Sequence, residues 1–153
     1  MKLVITGAST YGVDNMGDDA MLSTLIQGIK EKYDEPEITF LARHVDKKYD
    51  EFFGFKSIKN LDHESKRESE GRFFLGMNAG DSSENLSLIK EKIDEADLLI
   101  IGGNSFMEIS QNQFLRGVSS YSATLATLSK FCNTPYALYG VNVVEKIKSE
   151  FTK

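Results

Sequence analysis

Cysteine, proline, histidine and tryptophan are scarce in this chain of 153 residues. The scarcity of cysteine and histidine argues against disulfides and against metal sites built from these residues. Cys132 is the only cysteine, so the chain cannot form an internal disulfide, which suits a reducing compartment. It ends the apolar stretch TLATLSKFC, and this favours a buried structural thiol over a nucleophile. No Cys/His cluster has the spacing of a metal site, so we expect no bound metal.

Positive charge and long apolar runs are scarce as well. Lys and Arg number 18 against 23 Asp and Glu, which gives a net charge of −5 and a pI near 5.1. This balance disfavours nonspecific binding to nucleic acid or to an anionic membrane. No segment approaches the ~20 apolar residues of a transmembrane helix, and the N-terminus lacks the apolar region of a signal peptide. We therefore expect a cytoplasmic protein without a transmembrane segment.

What the sequence does contain is an alternation of short apolar runs with helical patterns. The runs are apolar throughout, as in strands that are buried on both faces of a parallel sheet. We therefore predict one α/β domain with a Rossmann-like, doubly wound parallel sheet. The predicted strands are Lys2–Thr6, Glu37–Ala42, and those within FKSIKNL, ADLLIIGG and YALYGVNV; the predicted helices are about Asp18–Tyr33, Val45–Phe53, Leu86–Ile93, Phe114–Phe131 and one in EKIKSEFTK.

One segment interrupts this alternation. Residues 62–83, DHESKRESEGRFFLGMNAGDSS, mix charges and glycines around the apolar island Phe73–Met77. A connection of this length in a compact domain is typical of a functional loop or of an insertion.

The loop after the first strand lies where ligands bind in such sheets, beyond the carboxyl ends of the strands. Its glycines, Gly7, Gly12 and Gly17, do not have the G-x-G-x-x-G spacing of a dinucleotide site. A Walker A loop needs a lysine, and none occurs between Lys2 and Lys30. Both common phosphate motifs are therefore absent from this loop.

Instead, the segment DNMGDDAML carries acids into the first helix. Asp18 and Asp19 in a first helical turn stabilise the helix dipole by ~0.3 to 1 kcal/mol, which accounts for them without any function. The same acids repel phosphate and suit a neutral ligand rich in hydroxyls, towards which one carboxylate can act as a general base. Asn15 adds a hydrogen-bond donor and an acceptor. Both interpretations remain open at this point.

The strand ADLLIIGG offers a second group of candidates. Gly102 and Gly103 either present backbone amides to a ligand at a helix N-terminus or merely end the strand. We expect Ser105 to cap the helix that follows. In the first loop, Tyr11 either stacks on a sugar ring or shields the loop.

Three stretches together resemble the polysaccharide pyruvyl transferase family. VITGASTYGVDNMGDDAML is similar to the family's N-terminal strand and glycine loop, with N-x-G-D-x-A read here as Asn15, Gly17, Asp18 and Ala20. ADLLIIGGNSF is similar to the strand that ends in a glycine run, and TPYALYGVNV to the strand that leads to the interdomain crossing. The resemblance spans most of the chain and leaves residues 62–83 unaccounted for.

The resemblance implies the N-terminal half of a two-domain architecture of the glycosyltransferase-B type, with the active site between the domains. The family transfers a pyruvyl group from phosphoenolpyruvate to two sugar hydroxyls and forms a ketal, as in the biosynthesis of exopolysaccharide and cell wall polysaccharide. Its basic donor-binding residues come largely from a C-terminal domain. We therefore expect this chain to be the acceptor-side domain, truncated before that domain, with phosphoenolpyruvate as donor substrate and no cofactor.

The resemblance also implies roles for particular residues. Asp18 is the expected catalytic base, and Asp19 mainly contributes charge to the helix start. The expected substrate-binding residues are Tyr11, Gly12, Asn15, Gly17, Gly102, Gly103, Asn104, Ser105 and Asn142. Asn104 replaces a third glycine of the family's run, and no Q-G-I-G-P-like sequence follows Asn142, so the acceptor sugar stays open.

Two alternatives stand beside this interpretation. One is half of a glycosyltransferase-like enzyme that uses a nucleotide sugar, and the other is a Rossmann-like binding or interaction domain without catalysis. The expected partners are a sugar or polysaccharide acceptor and the absent C-terminal domain, but not nucleic acid. Association between copies, through the face left by that domain, is a further expectation.

Overall fold

The computed structural model describes residues 1–7, 16–42, 45–60, 81–102, 105–106 and 118–143. Strands and helices alternate along the chain, as the sequence predicts. The elements are β1 (Lys2–Gly7), α1 (Met16–Lys32), β2 (Glu37–Ala42), α2 (Lys47–Phe53), β3 (Lys56–Lys59), α3 (Asp81–Asp94), β4 (Leu98–Gly102), β5 (Ser105–Phe106), α4 (Val118–Phe131), β6 (Tyr136–Tyr139) and β7 (Asn142–Val143).

Five of these strands form one parallel sheet in the order β3-β2-β1-β4-β6. The chain builds outward from β1 through β2 to β3, and then continues on the other side of β1 with β4 and β6. This is the strand order of a Rossmann fold, and it confirms the predicted fold class. In the register, Ile5 lies between Phe40 on β2 and Ile100 on β4.

The core lies on both faces of this sheet. Leu3 and Ile5 belong to the cluster with the buried side chains of α1 and α2, among them Leu22, Ile26 and Phe53. Val4 belongs to the opposite cluster, with Ile89 and Ile93 of α3 and Leu125 of α4. Successive side chains of a strand point to opposite faces, so a strand that is covered on both is apolar at most positions. This explains why the central strands show no polar alternation.

β6 differs from the central strands because its side chains are exposed or half-buried. Leu138 and Tyr136 are among the exposed large hydrophobic residues. β6 has one partner strand, β4, within the sheet that the structure describes. The expectation of association between copies stays a prediction.

Several element boundaries differ from those predicted. α1 begins at Met16, two residues before the predicted start, and α3 begins at Asp81, so the end of the 62–83 connection is helical. The predicted last strand divides into β6 and β7, with Gly140 at φ 60° between them. Residues 61–80, 107–117 and 144–153 lie outside the described residues. They include most of the long connection, the predicted start of the Phe114–Phe131 helix and the predicted helix in EKIKSEFTK.

Side-chain hydrogen bonds fix both ends of α2. The Asp46 carboxylate accepts a hydrogen bond from the N–H of Lys48 at 2.9 Å, which caps the N-terminus. At the C-terminus, Gly54 at φ 67° donates its N–H to the Asp50 carbonyl at 2.8 Å. The Nζ of Lys30 donates to the carbonyl of Phe53 at 2.6 Å, so α1 and α2 are joined at this end.

Candidate functional site

The carboxyl edge of the sheet brings two glycines together. Gly7 ends β1 and Gly102 ends β4, and the register pairs them directly. Gly102 is in turn the partner of Tyr139, the last residue of β6. The chain order reverses between β1 and β4, and crevices for ligands form at such switch points. The pair Gly7 and Gly102, called here the glycine pair, therefore lies at the expected binding position, where the strand ends carry no side chains.

Gly7 has a particular conformational role in this pair. Its φ of 74° is in the left-handed region, where residues with a Cβ are disfavoured. β1 ends at this residue, and the next described element is α1, which begins at Met16. Gly7 was not among the predicted site residues, although its place at the end of the first strand was a usable signal.

The first turn of α1 carries the acidic residues as expected. The backbone of Gly17, Asp18 and Asp19 is helical, Gly17 is exposed, and Asp19 is half-buried. The side chain of Asp18 lies outside what the structure describes, so its role as the base stays a prediction. Tyr11, Gly12 and Asn15 also lie outside the described residues, and their roles remain predictions.

A buried polar pair lies beneath the end of β1. The Nδ2 of Asn60 donates a hydrogen bond to the Oγ1 of Thr6 at 3.0 Å, and both residues are buried. The N–H of Asn60 donates to the carbonyl of Ala42, the last residue of β2, at 2.8 Å. Asn60 therefore joins the ends of three neighbouring strands. Sequence reasoning missed this pair because its members are 54 positions apart, although an asparagine directly after β3 was a signal.

Ser105 lies in a strand, and the prediction that it caps a helix is wrong. It begins β5, which pairs in parallel with β7, and its partner in the register is Asn142. Ser105 and Phe106 are extended because β7 supplies a partner strand. Gly102 ends β4, and the alternative that Gly102 and Gly103 present backbone amides to a ligand stays a prediction. The structure thus brings the backbones of two predicted site residues together, Ser105 and Asn142.

The β5–β7 pair continues the register of β4 and β6. Gly102 pairs with Tyr139, and three residues later on each chain segment Ser105 pairs with Asn142. The small sheet therefore pairs the two segments that follow β4 and β6 in the chain, with the same offset from each strand end. Gly103 and Asn104, which link β4 to β5, lie outside the described residues.

Cys132 is remote from this edge. It lies in the turn after α4 and is half-buried. Burial raises the pKa of its thiol, and the nearby Asp94 carboxylate raises this pKa further. A higher pKa lowers the thiolate fraction, which makes the side chain a poor nucleophile. These properties agree with a structural thiol.

Two further properties concern only the part of the chain that the structure describes. None of its helices is long and apolar enough to cross a membrane. Among these residues, no three His, Cys, Asp or Glu side chains are grouped so that they could hold a metal ion.

The family model for polysaccharide pyruvyl transferase matches residues 15–153. The match begins at Asn15, the first residue of the N-x-G-D-x-A motif. No curated protein matches the chain. Because the family model covers well over half of the sequence, the chain belongs to the polysaccharide pyruvyl transferase family.

Proposed function

We propose that this chain is the acceptor-side domain of an enzyme that transfers a pyruvyl group from phosphoenolpyruvate to two hydroxyls of a sugar, forming a ketal. The observation that carries this proposal is the family match over residues 15–153. The Rossmann-like sheet supports it, because its switch point presents the glycine pair at the edge where such sheets bind ligands.

The charge around the switch point favours the acceptor over the donor. No Lys or Arg occurs between Lys2 and Lys30, a stretch that includes β1, its loop and most of α1. Three aspartates, Asp14, Asp18 and Asp19, lie in the same stretch. Phosphate recognition relies on cationic side chains or on helix ends free of competing acids. A sugar suits this position better, since its hydroxyls donate hydrogen bonds to carboxylates and to backbone carbonyls.

The donor then needs a second surface. In this proposal, the cations that bind the phosphate and the acid that protonates the donor come from a C-terminal domain of the same polypeptide. The two domains form a cleft of the glycosyltransferase-B type, and the carboxyl edge of the sheet is its acceptor wall. We propose Tyr11, Gly12, Asn15 and Gly17 as its sugar-binding residues after β1, and Gly102, Gly103, Asn104, Ser105 and Asn142 as those after β4 and β6.

The proposed reaction needs one general base on the acceptor side. Protonation of the methylene carbon of phosphoenolpyruvate creates a cation at the adjacent carbon, and a sugar hydroxyl attacks that carbon. Phosphate leaves, and the second hydroxyl attacks to close the ketal. Of the two hydroxyl protons, one balances the proton added to carbon and the other leaves with phosphate. Asp18 accepts a hydroxyl proton, and Asn15 orients the sugar.

The direct test is phosphate release from phosphoenolpyruvate in the presence of a β-linked sugar acceptor. It requires the polypeptide that carries this domain together with the C-terminal domain. We expect Asp18→Asn to lower kcat about 10²- to 10⁴-fold, the usual contribution of a general base. Asp19→Asn is the matched control, because it removes a neighbouring carboxylate from the same helical turn, and it should retain most of the activity.

Other outcomes of these assays would point to a different role for Asp18 or to a different function. Full activity in Asp18→Asn would remove Asp18 from the mechanism, and equal losses in both variants would indicate a general effect of charge at the helix start. Turnover of a nucleotide sugar in place of phosphoenolpyruvate would support the glycosyltransferase-like alternative. Binding of a sugar without any turnover would support a non-catalytic binding domain.

A further inference from the structure

Asn60 occupies an unusual position for a buried amide. It follows β3, yet it bonds to β1, which is two strands away because β2 lies between them. Its main chain donates to the carbonyl of Ala42 at 2.8 Å, and its side chain donates to Thr6 at 3.0 Å. Asn60 is 3% exposed and Thr6 is 0% exposed. Asn60 therefore spans the end of β2 and is hydrogen-bonded to the end of β1 through the Thr6 hydroxyl.

The core alone does not require this arrangement. A buried amide must be hydrogen-bonded to offset its lost hydration, whereas an apolar residue fills the same space without that requirement. Unlike an apolar contact, the hydrogen bond of the amide holds its donor and acceptor within a narrow range of distance and angle. The group that it fixes, the Thr6 hydroxyl, belongs to the residue directly before Gly7. Gly7 in turn is the register partner of Gly102.

We propose that Asn60 is a positioning residue for acceptor binding. Through Thr6 it holds Gly7 in register with Gly102, and so sets the backbone of the glycine pair against which the sugar lies. Asn60 acts through Thr6 and not by contact with the substrate. The acceptor part of this inference rests on the proposed function, whereas the effect on the glycine pair does not.

The opposite edge of the sheet supplies a matched control. The Oγ1 of Thr134 donates to the carbonyl of Ile93 at 2.7 Å, and Thr134 is 5% exposed. Like Thr6, it is a buried threonine with a hydrogen bond across the fold, but it precedes β6 and lies at the amino edge. Thr6→Val and Thr134→Val each remove one buried hydroxyl and keep the shape of the side chain.

The first experiment measures the glycine pair itself, by the amide chemical shifts of Gly7 and Gly102 in the ¹⁵N-labelled chain. We expect Asn60→Ala and Thr6→Val to shift both amides, and Thr6→Ser, which keeps the hydroxyl, to restore them. Thr134→Val should leave both amides unchanged. Should Asn60→Ala fail to fold, the isosteric Thr6→Val carries the test. Unchanged glycine amides in Thr6→Val would overturn the inference, and so would equal shifts in Thr134→Val.

The second experiment measures turnover in the polypeptide with both domains. We expect Thr6→Val and Asn60→Ala to raise the KM for the acceptor about tenfold while the KM for phosphoenolpyruvate stays unchanged. The double variant should lose no more than either single variant, because both remove the same bond. A purely structural bond would change both KM values alike or neither, and that result would overturn the positioning role. An inactive wild type would refute the proposed function and leave the chemical-shift result standing.

Discussion

The two edges of the sheet are held together in different ways. At the amino edge the connections are short, and main-chain and side-chain hydrogen bonds close them. Lys2 and Asp97 exchange two bonds there, since the Lys2 N–H donates to the Asp97 carboxylate at 2.7 Å and the Asp97 N–H donates to the Lys2 carbonyl at 2.9 Å. At the carboxyl edge β1 and β4 end in glycines, whereas β2 and β3 end beside the buried amide of Asn60.

This difference separates stability from function. Hydrogen bonds at the amino edge join helix ends to strand starts, so their loss should affect folding alone. The carboxyl-edge bond between Asn60 and Thr6 lies beneath the glycine pair, so its loss should affect binding as well. A change in turnover caused by an amino-edge variant would contradict this separation.

The largest effect is expected at Thr134. Its hydroxyl donates to the carbonyl of Ile93 at 2.7 Å, and its own carbonyl accepts from the hydroxyl of Ser129 at 2.5 Å. Thr134→Val leaves the Ile93 carbonyl without this donor, which should lower the free energy of unfolding by about 1–3 kcal/mol. Urea denaturation measures the loss. Turnover at a temperature where the variant is folded should equal that of the wild type, and a drop there would contradict a purely structural amino edge.

A smaller effect is expected at Gly54, where α2 ends. Its φ of 67° disfavours a residue with a Cβ, and an added Cβ would lie 2.7 Å from the Nζ of Lys30. The Lys30 side chain can move aside, but its bond to the Phe53 carbonyl would then weaken. We expect Gly54→Ala to lower the free energy of unfolding by about 1–2 kcal/mol, the cost of a left-handed backbone with a Cβ.

Gly28 is the control for this change. It lies within α1, and a Cβ added there would have no described atom within 4 Å apart from its chain neighbours and the backbone of its own helix. Gly28→Ala should therefore raise the free energy of unfolding by about 0.5–1 kcal/mol, because alanine favours a helix interior over glycine. Two Gly→Ala changes with opposite signs, measured by thermal denaturation, would separate the backbone conformation from the general effect of alanine. Equal signs would contradict the explanation for Gly54.

The smallest effect is expected at Cys132, in the rate at which its thiol is alkylated. Burial and the Asp94 carboxylate raise the pKa of its thiol, so less thiolate is present near neutral pH than in an unfolded chain. Iodoacetamide should therefore modify Cys132 more slowly in the native chain than in urea. The pKa of Cys132 is higher in the folded chain than in the unfolded chain, so the protonated thiol contributes to the free energy of unfolding. This contribution is fully present below the unfolded pKa and is lost as the pH rises through the folded pKa. Native alkylation as fast as in urea would contradict the buried thiol.

Much of this fold could be predicted because burial on both faces leaves a local signal. The runs that became β1, β2 and β4 are apolar at successive positions, and the α1 pattern follows from one buried stripe. The same reasoning placed Gly102 at the carboxyl edge. Local patterns were sufficient wherever neighbours in sequence share one environment.

The remainder depends on partners that are distant in sequence. Ser105 extends as a strand because Asn142 lies beside it, and no pattern around Ser105 contains that information. Asn60 and Thr6 meet only once the strand order is set. The division between β6 and β7 depends on Gly140, whose positive φ becomes apparent only in three dimensions. Sequence motifs indicated the glycine loop and the glycine run, but neither motif indicates the hydrogen bond between Asn60 and Thr6.

The equal spacing of the two strand extensions has a consequence for how relatives of this chain can vary. Three positions separate Gly102 from Ser105, and three separate Tyr139 from Asn142. Inserting one residue into either link would turn the following side chains to the opposite face of the small sheet. A deletion or insertion in one link is therefore tolerable only together with a matching change in the other. Homologues that keep the pairing of β5 with β7 should have two links of equal length, whatever residues those links contain.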